Sequence, residues 1–178
     1  RKSMSFVDYI KRGWEVVQLK TEAIKSLAAD EKGIGPAIGI LAIGGLCAGI
    51  GSFTPGLFFA LPFLYVIGGF IVVAIMHFVA TTFFGGEGKL MSLAVPAFCG
   101  SLVTWVAIVP FIGPLFLVHL AFLWFLVVLV LCVENVYGLD RGKAVVVVAI
   151  PAVLSFIVAL TLGALAVAIL AATGVLSS

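Results

Sequence analysis

The chain has 178 residues, 63% of them hydrophobic and 10% charged, with ten Lys and Arg against eight Asp and Glu for a formal net charge of +2. A mean hydropathy of +1.34 excludes a soluble globular protein, and the length leaves room for one bundle and no second large folded unit. The charges fall in three clusters, at 1–32, at Glu87 and Lys89, and from Glu134 to Lys143, and none occurs in 33–86, 90–133 or 144–178. An ionised side chain at the bilayer centre costs about 2.5 kcal/mol or more, so such gaps are what a lipid-embedded chain requires.

Residues 5–30 come first. Val7, Ile10, Trp14, Val17, Ile24 and Ala28, with Thr21 in the one polar slot, recur at alternating spacings of three and four, the signature of an amphipathic helix. Lys11, Arg12, Glu15, Gln18, Glu22 and Lys25 occupy the rest of its surface. Ser5 and Asp8 form a capping box at its start, and Gly33 is a stop signal. This helix is too charged to span a membrane and is expected to lie along the surface, either as a partner-docking or curvature-sensing element or as an anchor for the first span. The candidate contacts with lipid or partner are Val7, Ile10, Trp14, Val17, Lys11 and Arg12. No apolar core of a cleavable secretory leader is seen in the first 32 residues.

A spanning helix needs about 20 apolar residues. The first charge-free gap accommodates two spans, the second two and the third one. Turn-rich breaks at Gly51–Gly56 and at Pro110–Pro114 divide the longer gaps. The expected spans are 34–52, 57–84, 91–109, 114–137 and 143–172. The fold class is therefore all-α, a five-helix transmembrane bundle over 34–178 preceded by the amphipathic helix of 1–33. Five crossings put the N-terminal segment, the 85–90 loop and the 138–143 loop on one side with all the basic residues. The positive-inside rule makes that side cytoplasmic and leaves the C-terminus outside.

Within the spans, Gly35 and Gly39, and again Gly45 and Gly49, are four apart, a spacing that lets helix backbones approach closely. These glycines are expected to pack in the bundle or in a homo-oligomer seam. Pro62, Pro96 and Pro151 are expected to kink their helices. The last span is rich in alanine, at Ala159, Ala164, Ala166, Ala168, Ala171 and Ala172, which suggests an alanine face against a neighbour.

Reactive groups are few. Cys47, Cys99 and Cys132 stand isolated in spans and read as small apolar residues. His77 and His119 differ in depth by roughly 20 Å, too far apart to hold one haem between them in a monomer. A cofactor-bearing subunit using one histidine is a minor reading. Gly85-Gly86-Glu87-Gly88-Lys89 lacks the ending of a phosphate loop and reads as a flexible connector. No catalytic set, metal site, cofactor or nucleic-acid-binding patch is expected.

Three motifs carry a resemblance. Phe84-Gly85-Gly86-Glu87-Gly88-Lys89 followed by Pro96, then Pro110-Phe111-Ile112-Gly113, then Glu134-Asn135-Val136-Tyr137-Gly138-Leu139-Asp140-Arg141-Gly142-Lys143-Ala144 followed by Pro151, resemble in order the Yip (Ypt-interacting protein) family. The resemblance covers roughly 84–155. It makes Gly85, Gly86, Glu134, Tyr137, Gly138 and Lys143 the family-motif loop residues, and it implies five spans with a cytoplasmic N-terminus. Eukaryotic members of that family act in vesicle trafficking with prenylated GTPases. The compact loops here resemble prokaryotic members, implying the inner (plasma) membrane. The function expected is a non-enzymatic membrane scaffold or accessory subunit that binds other membrane proteins or shapes the bilayer. The alternative is a small-solute transporter or channel, favoured by the kinking prolines and the glycines.

Overall fold

The computed structural model describes residues 4–53, 55–110 and 112–172. The described residues are mostly helical and include no strand. Two short helices, α1 (Phe6–Val17) and α2 (Thr21–Ala28), precede α3 (Ile34–Gly51), α4 (Pro55–Phe84), α5 (Leu90–Gly100), α6 (Val118–Tyr137) and α7 (Arg141–Ala172). A 3-10 segment, Ser101–Ile108, prolongs α5, and a π turn, Gly113–Leu117, leads into α6. Five helices are long and apolar enough to cross a membrane. They match the five expected spans to within a few residues. Thr54, Phe111 and 173–178, which belong to the two expected turns and the C-terminal tail, lie outside the described residues.

The bundle is organised around α5. From Leu93 to Leu102 every side chain is buried, enclosed by α1, α2, α3, α4 and α6. The sequence predicts one continuous α-helix over 91–109, and the structure instead switches to 3-10 geometry at Ser101. There the Ser101 and Thr104 hydroxyls donate to the carbonyls three residues earlier, Phe98 O at 2.7 Å and Ser101 O at 2.8 Å, reinforcing the tighter winding. The steeper rise stretches Leu90–Ile108 to about 32 Å, enough to cross a hydrocarbon core of about 30 Å. The Trp105 indole donates to Ile40 O at 3.1 Å and pins this segment to α3.

Helices α3 and α4 pack antiparallel and closely. A Cβ on Gly45 would stand 2.6 Å from Pro62 Cα and 2.7 Å from Leu61 O, and one on Gly49 would stand 2.7 Å from Phe58 Cα. Both contacts share one register, and continuing it sets Ile34 level with Val73. Eleven residues of α4 therefore run past the start of α3, about 16 Å of helix. The side chain of Val95 lies at Gly33, which sets α5 in the same frame. At the charged end α4 thus extends beyond the 18-residue α3, which is about 27 Å long.

Two packing expectations fail within the chain. Gly35 is exposed with nothing within 4 Å of a built Cβ, and Gly39 faces only the flexible Phe6 ring of α1. At neither position does the Cβ direction meet α4. The described alanines of the α7 face, Ala159, Ala164 and Ala168, are exposed too. All side chains from Val153 to Thr161 are exposed, as are Ala164 and Ala168, while those of Ala166, Ala171 and Ala172 lie outside the described residues. Pro62, Pro96 and Pro151 sit inside α4, α5 and α7.

The glycine contacts make a direct prediction. Gly45→Ala drives a methyl into the α4 backbone and should lower stability by about 1–3 kcal/mol. Gly35→Ala meets nothing and should be neutral or stabilising by up to about 1 kcal/mol through helix propensity. Thermal melts in one detergent compare them, and equal melting temperatures for the two variants would contradict the register.

Candidate functional site

The N-terminal segment is two helices, not one. Glycine or proline does not mark the break. Leu19 adopts a left-handed backbone (φ 64°), its N–H donating to Val16 O at 2.8 Å and the Lys20 N–H to Glu15 O at 3.0 Å. These two bonds form a Schellman ending built on leucine, at a backbone cost of about 1–2 kcal/mol. Leu19 packs against the core, which holds it there. At the other end of α1 the expected capping box is present: Asp8 N donates to Ser5 Oγ at 3.3 Å, and the Asp8 carboxylate accepts from Ser5 N at 2.9 Å and Ser5 Oγ at 2.7 Å. Those bonds hold the Asp8 carboxyl below its usual range.

Apolar residues cover about half of α1's circumference, and the bundle takes only part of that arc. Tyr9, Gly13, Val16 and Val17 are buried. Val7 and Trp14 are each 56% exposed, with Ile10 half-buried between them. The predicted stripe Val7–Ile10–Trp14–Val17 is therefore divided, its last member turned into the bundle and its first three left on an outward flank. Lys11, one turn from Val7, is exposed at the edge of that flank, and Arg12 and Glu15, which pair at 3.0 Å, continue the charged arc. Three faces result: one on protein, one apolar and open, one charged.

The docking is close. A Cβ on Gly13 would stand 2.5 Å from Cys99 O, so the backbones of α1 and α5 touch. The Trp124 indole of α6 donates to Val17 O at 2.9 Å, filling a carbonyl left open by the helix end. The Tyr9 hydroxyl donates to the Asp30 carboxylate at 2.5 Å, and its ring covers Gly33. Burial first, and the neighbouring Asp30 second, push the Tyr9 hydroxyl up to about 12. Ala23, Ile24 and Leu27 of α2 complete the buried face, while Glu22, Lys25 and Ser26 face outward.

The family-motif residues meet at the same end of the bundle. Gly85 turns the chain out of α4 with φ 68°, and the Gly86 N–H returns to Ala80 O at 2.9 Å. Gly86 and Gly88 lie on the Tyr137 ring: added Cβ atoms would stand 2.9 Å from Tyr137 Cβ and 2.7 Å from Tyr137 Cδ1. The Tyr137 hydroxyl in turn hydrogen-bonds His77 Nδ1 of α4 at 2.7 Å. Gly138 (φ 65°) ends α6. Glu134 pairs with Arg141 at 3.2 Å and Asp140 with Lys143 at 3.4 Å, surface ion pairs that water screens. Asp140 also accepts from Lys143 N, which opens α7 and holds the Asp140 carboxyl below its usual range.

Tyr137 thus ties one motif loop to the other. Sequence reasoning does not find His77 as its partner or Gly88 as its floor. The available signal was spacing, since His77 stands two helical turns before the glycine loop. Among the described residues no group of three or more His, Cys, Asp and Glu could hold a metal ion. His119 is exposed on α6 near the opposite end of the bundle.

Tyr137→Phe removes the bond to His77 and should cost about 0.5–1.5 kcal/mol. Gly88→Ala forces a methyl onto the ring and onto Val136 O and should cost about 1–3 kcal/mol, non-additively with the first because both act through Tyr137. Unfolding in mixed SDS micelles reads the cycle, and strictly additive losses would contradict the coupling.

No curated protein and no solved structure matches the chain. A family model, the Yip1 domain, matches residues 14–175, from Trp14 in the docked hairpin to beyond the described end of α7. The chain is a multi-pass membrane protein and belongs to the Yip1 domain family.

Proposed function

We propose that this protein is a non-enzymatic membrane scaffold that presents the charged face of its α1–α2 hairpin to other membrane proteins at the cytoplasmic surface. The observation that carries the reading is the three-way division of α1. One face is fixed on α5, the flank of Val7, Ile10 and Trp14 is apolar and open, and Lys11, Arg12 and Glu15 form a charged arc that borders the open flank at Lys11. A helix with that division sits where protein, lipid and water meet, its apolar flank sunk about 5–10 Å into the headgroup boundary. Tyr9, Trp124 and Gly13 hold it rigidly, so a partner binding there would not have to order it first.

The orientation in this reading has the N-terminus and the basic loops in the cytoplasm and the C-terminus outside, as the placement of Lys and Arg favours. A path for polar solutes receives less support. The buried length of α5 is apolar except for Ser101, whose hydroxyl is held by Phe98 O.

Cross-linking in native membranes tests the reading. The triple variant Lys11→Glu, Arg12→Glu, Lys25→Glu changes only exposed or half-exposed side chains. It should fold and insert as the wild type does, yet lose its stoichiometric cross-linked membrane partner. An identical cross-linking pattern, or a wild type found only as a lone monomer, would contradict the proposal.

A further inference from the structure

Between α4, α6 and α7, on a floor made by α3 and α5, lies a cavity of about 230 Å³. Tyr65, Gly69, Phe98, Phe122, Pro151 and Ser155 mark its extent. Its lining residues Phe98, Phe125 and Ser155 stand nine or more residues along their helices from the charged Lys89, Glu134 and Lys143, about 13 Å or more from those charges.

We infer that this cavity is a binding site for the acyl chain of a bilayer phospholipid, which enters sideways past α7. Three observations carry the inference. The walls are almost wholly apolar, and the hydroxyls of Ser101 and Thr104 are turned onto Phe98 O and Ser101 O. A buried water needs two to four polar partners and finds few here. The space is larger than the apolar cavity of about 150 Å³ that admits benzene, so leaving it empty forfeits the dispersion contacts of the whole lining. The cavity is also open at the side. Phe122 and Ser155 are exposed while lining it, and α7 stands clear of the other helices from Val153 to Thr161. That opening faces lipid at a depth where the bilayer offers only hydrocarbon chains, and an alkyl chain asks for no hydrogen bond.

The site differs from the general lipid coat of the bundle in being concave and in having Gly69 at its wall. A Cβ there would stand 2.6 Å from Leu41 Cδ2 and 3.2 Å from the Phe98 ring. Absence of a side chain keeps α4 against α3 and α5 and leaves the room beside them. The inference is independent of the partner-binding role of the hairpin, which lies on α5's opposite contacts.

The test is lipid retention after reconstitution into nanodiscs of dioleoyl phosphatidylglycerol and dioleoyl phosphatidylcholine, followed by transfer to mild detergent and native mass spectrometry. Ala152→Phe fills the cavity, and Val153→Phe, one residue along, points a ring of the same size into lipid. Wild type and Val153→Phe should each retain one phospholipid, and retention by Ala152→Phe should fall about tenfold. If Ala152→Phe does not fold, Ser155→Phe at the opening reads the same effect. A wild type that retains no phospholipid, retention unchanged in the filled variant, or equal losses in both Phe variants would overturn the inference.

Discussion

Hydrocarbon solvates no ionised side chain, and the whole architecture answers to that constraint. Among the described residues the charges lie in the N-terminal hairpin and the turn after it, in the loop after α4, and where α6 passes into α7. Helix α3 carries no charge over its 18 residues. Helix α4 is longer, and its surplus stands at the charged end, where His77 and the Tyr137 hydroxyl can make a polar contact outside the deepest hydrocarbon. The 3-10 segment Ser101–Ile108 gives the span that begins with α5 a steeper rise over its second half.

Different forces dominate at the two levels of the molecule. Inside the lipid, apolar burial gives little net drive, since acyl chains solvate leucine as well as protein does. Close backbone approach at Gly45 and Gly49 supplies the contact instead. At the charged end the hairpin borders water, and burying side chains such as Val16, Ile24 and Leu27 contributes about 1.5–3 kcal/mol each as an upper bound. That outweighs the cost of about 1–2 kcal/mol for the left-handed Leu19. The hairpin stays docked, and α1 keeps an apolar arc at Val7 and Trp14 that the bundle does not cover.

The sequence makes the membrane plan legible because charge is so costly in lipid that its absence marks each span. The capping box at Ser5 and Asp8 and the glycine contacts at Gly45 and Gly49 are legible for the same kind of reason: each residue type has one dominant use at that spacing. The break at Leu19 is hidden, since leucine is a strong helix former and only tertiary packing holds it in the left-handed region. The docking face is hidden too. Periodicity marks an apolar arc on α1, but which part of it meets protein depends on Gly13 touching Cys99, and one glycine among charged neighbours gives no sign of a partner. In the motif loops the resemblance identifies Gly86 and Tyr137 without showing that one lies on the other, a relation between segments some fifty residues apart that local pattern does not carry.

The central claim is that all charged segments share one face of the membrane. It is tested by single cysteines at Lys20, Glu87 and Asp140, and at Phe53 and Ile108, in a background with Cys47, Cys99 and Cys132 replaced. Each is labelled with a membrane-impermeant maleimide in intact cells and in inverted vesicles. The account predicts that the first three react only in inverted vesicles and that Phe53→Cys and Ile108→Cys react only in intact cells. Labelling of Glu87→Cys and Asp140→Cys from opposite sides would contradict it.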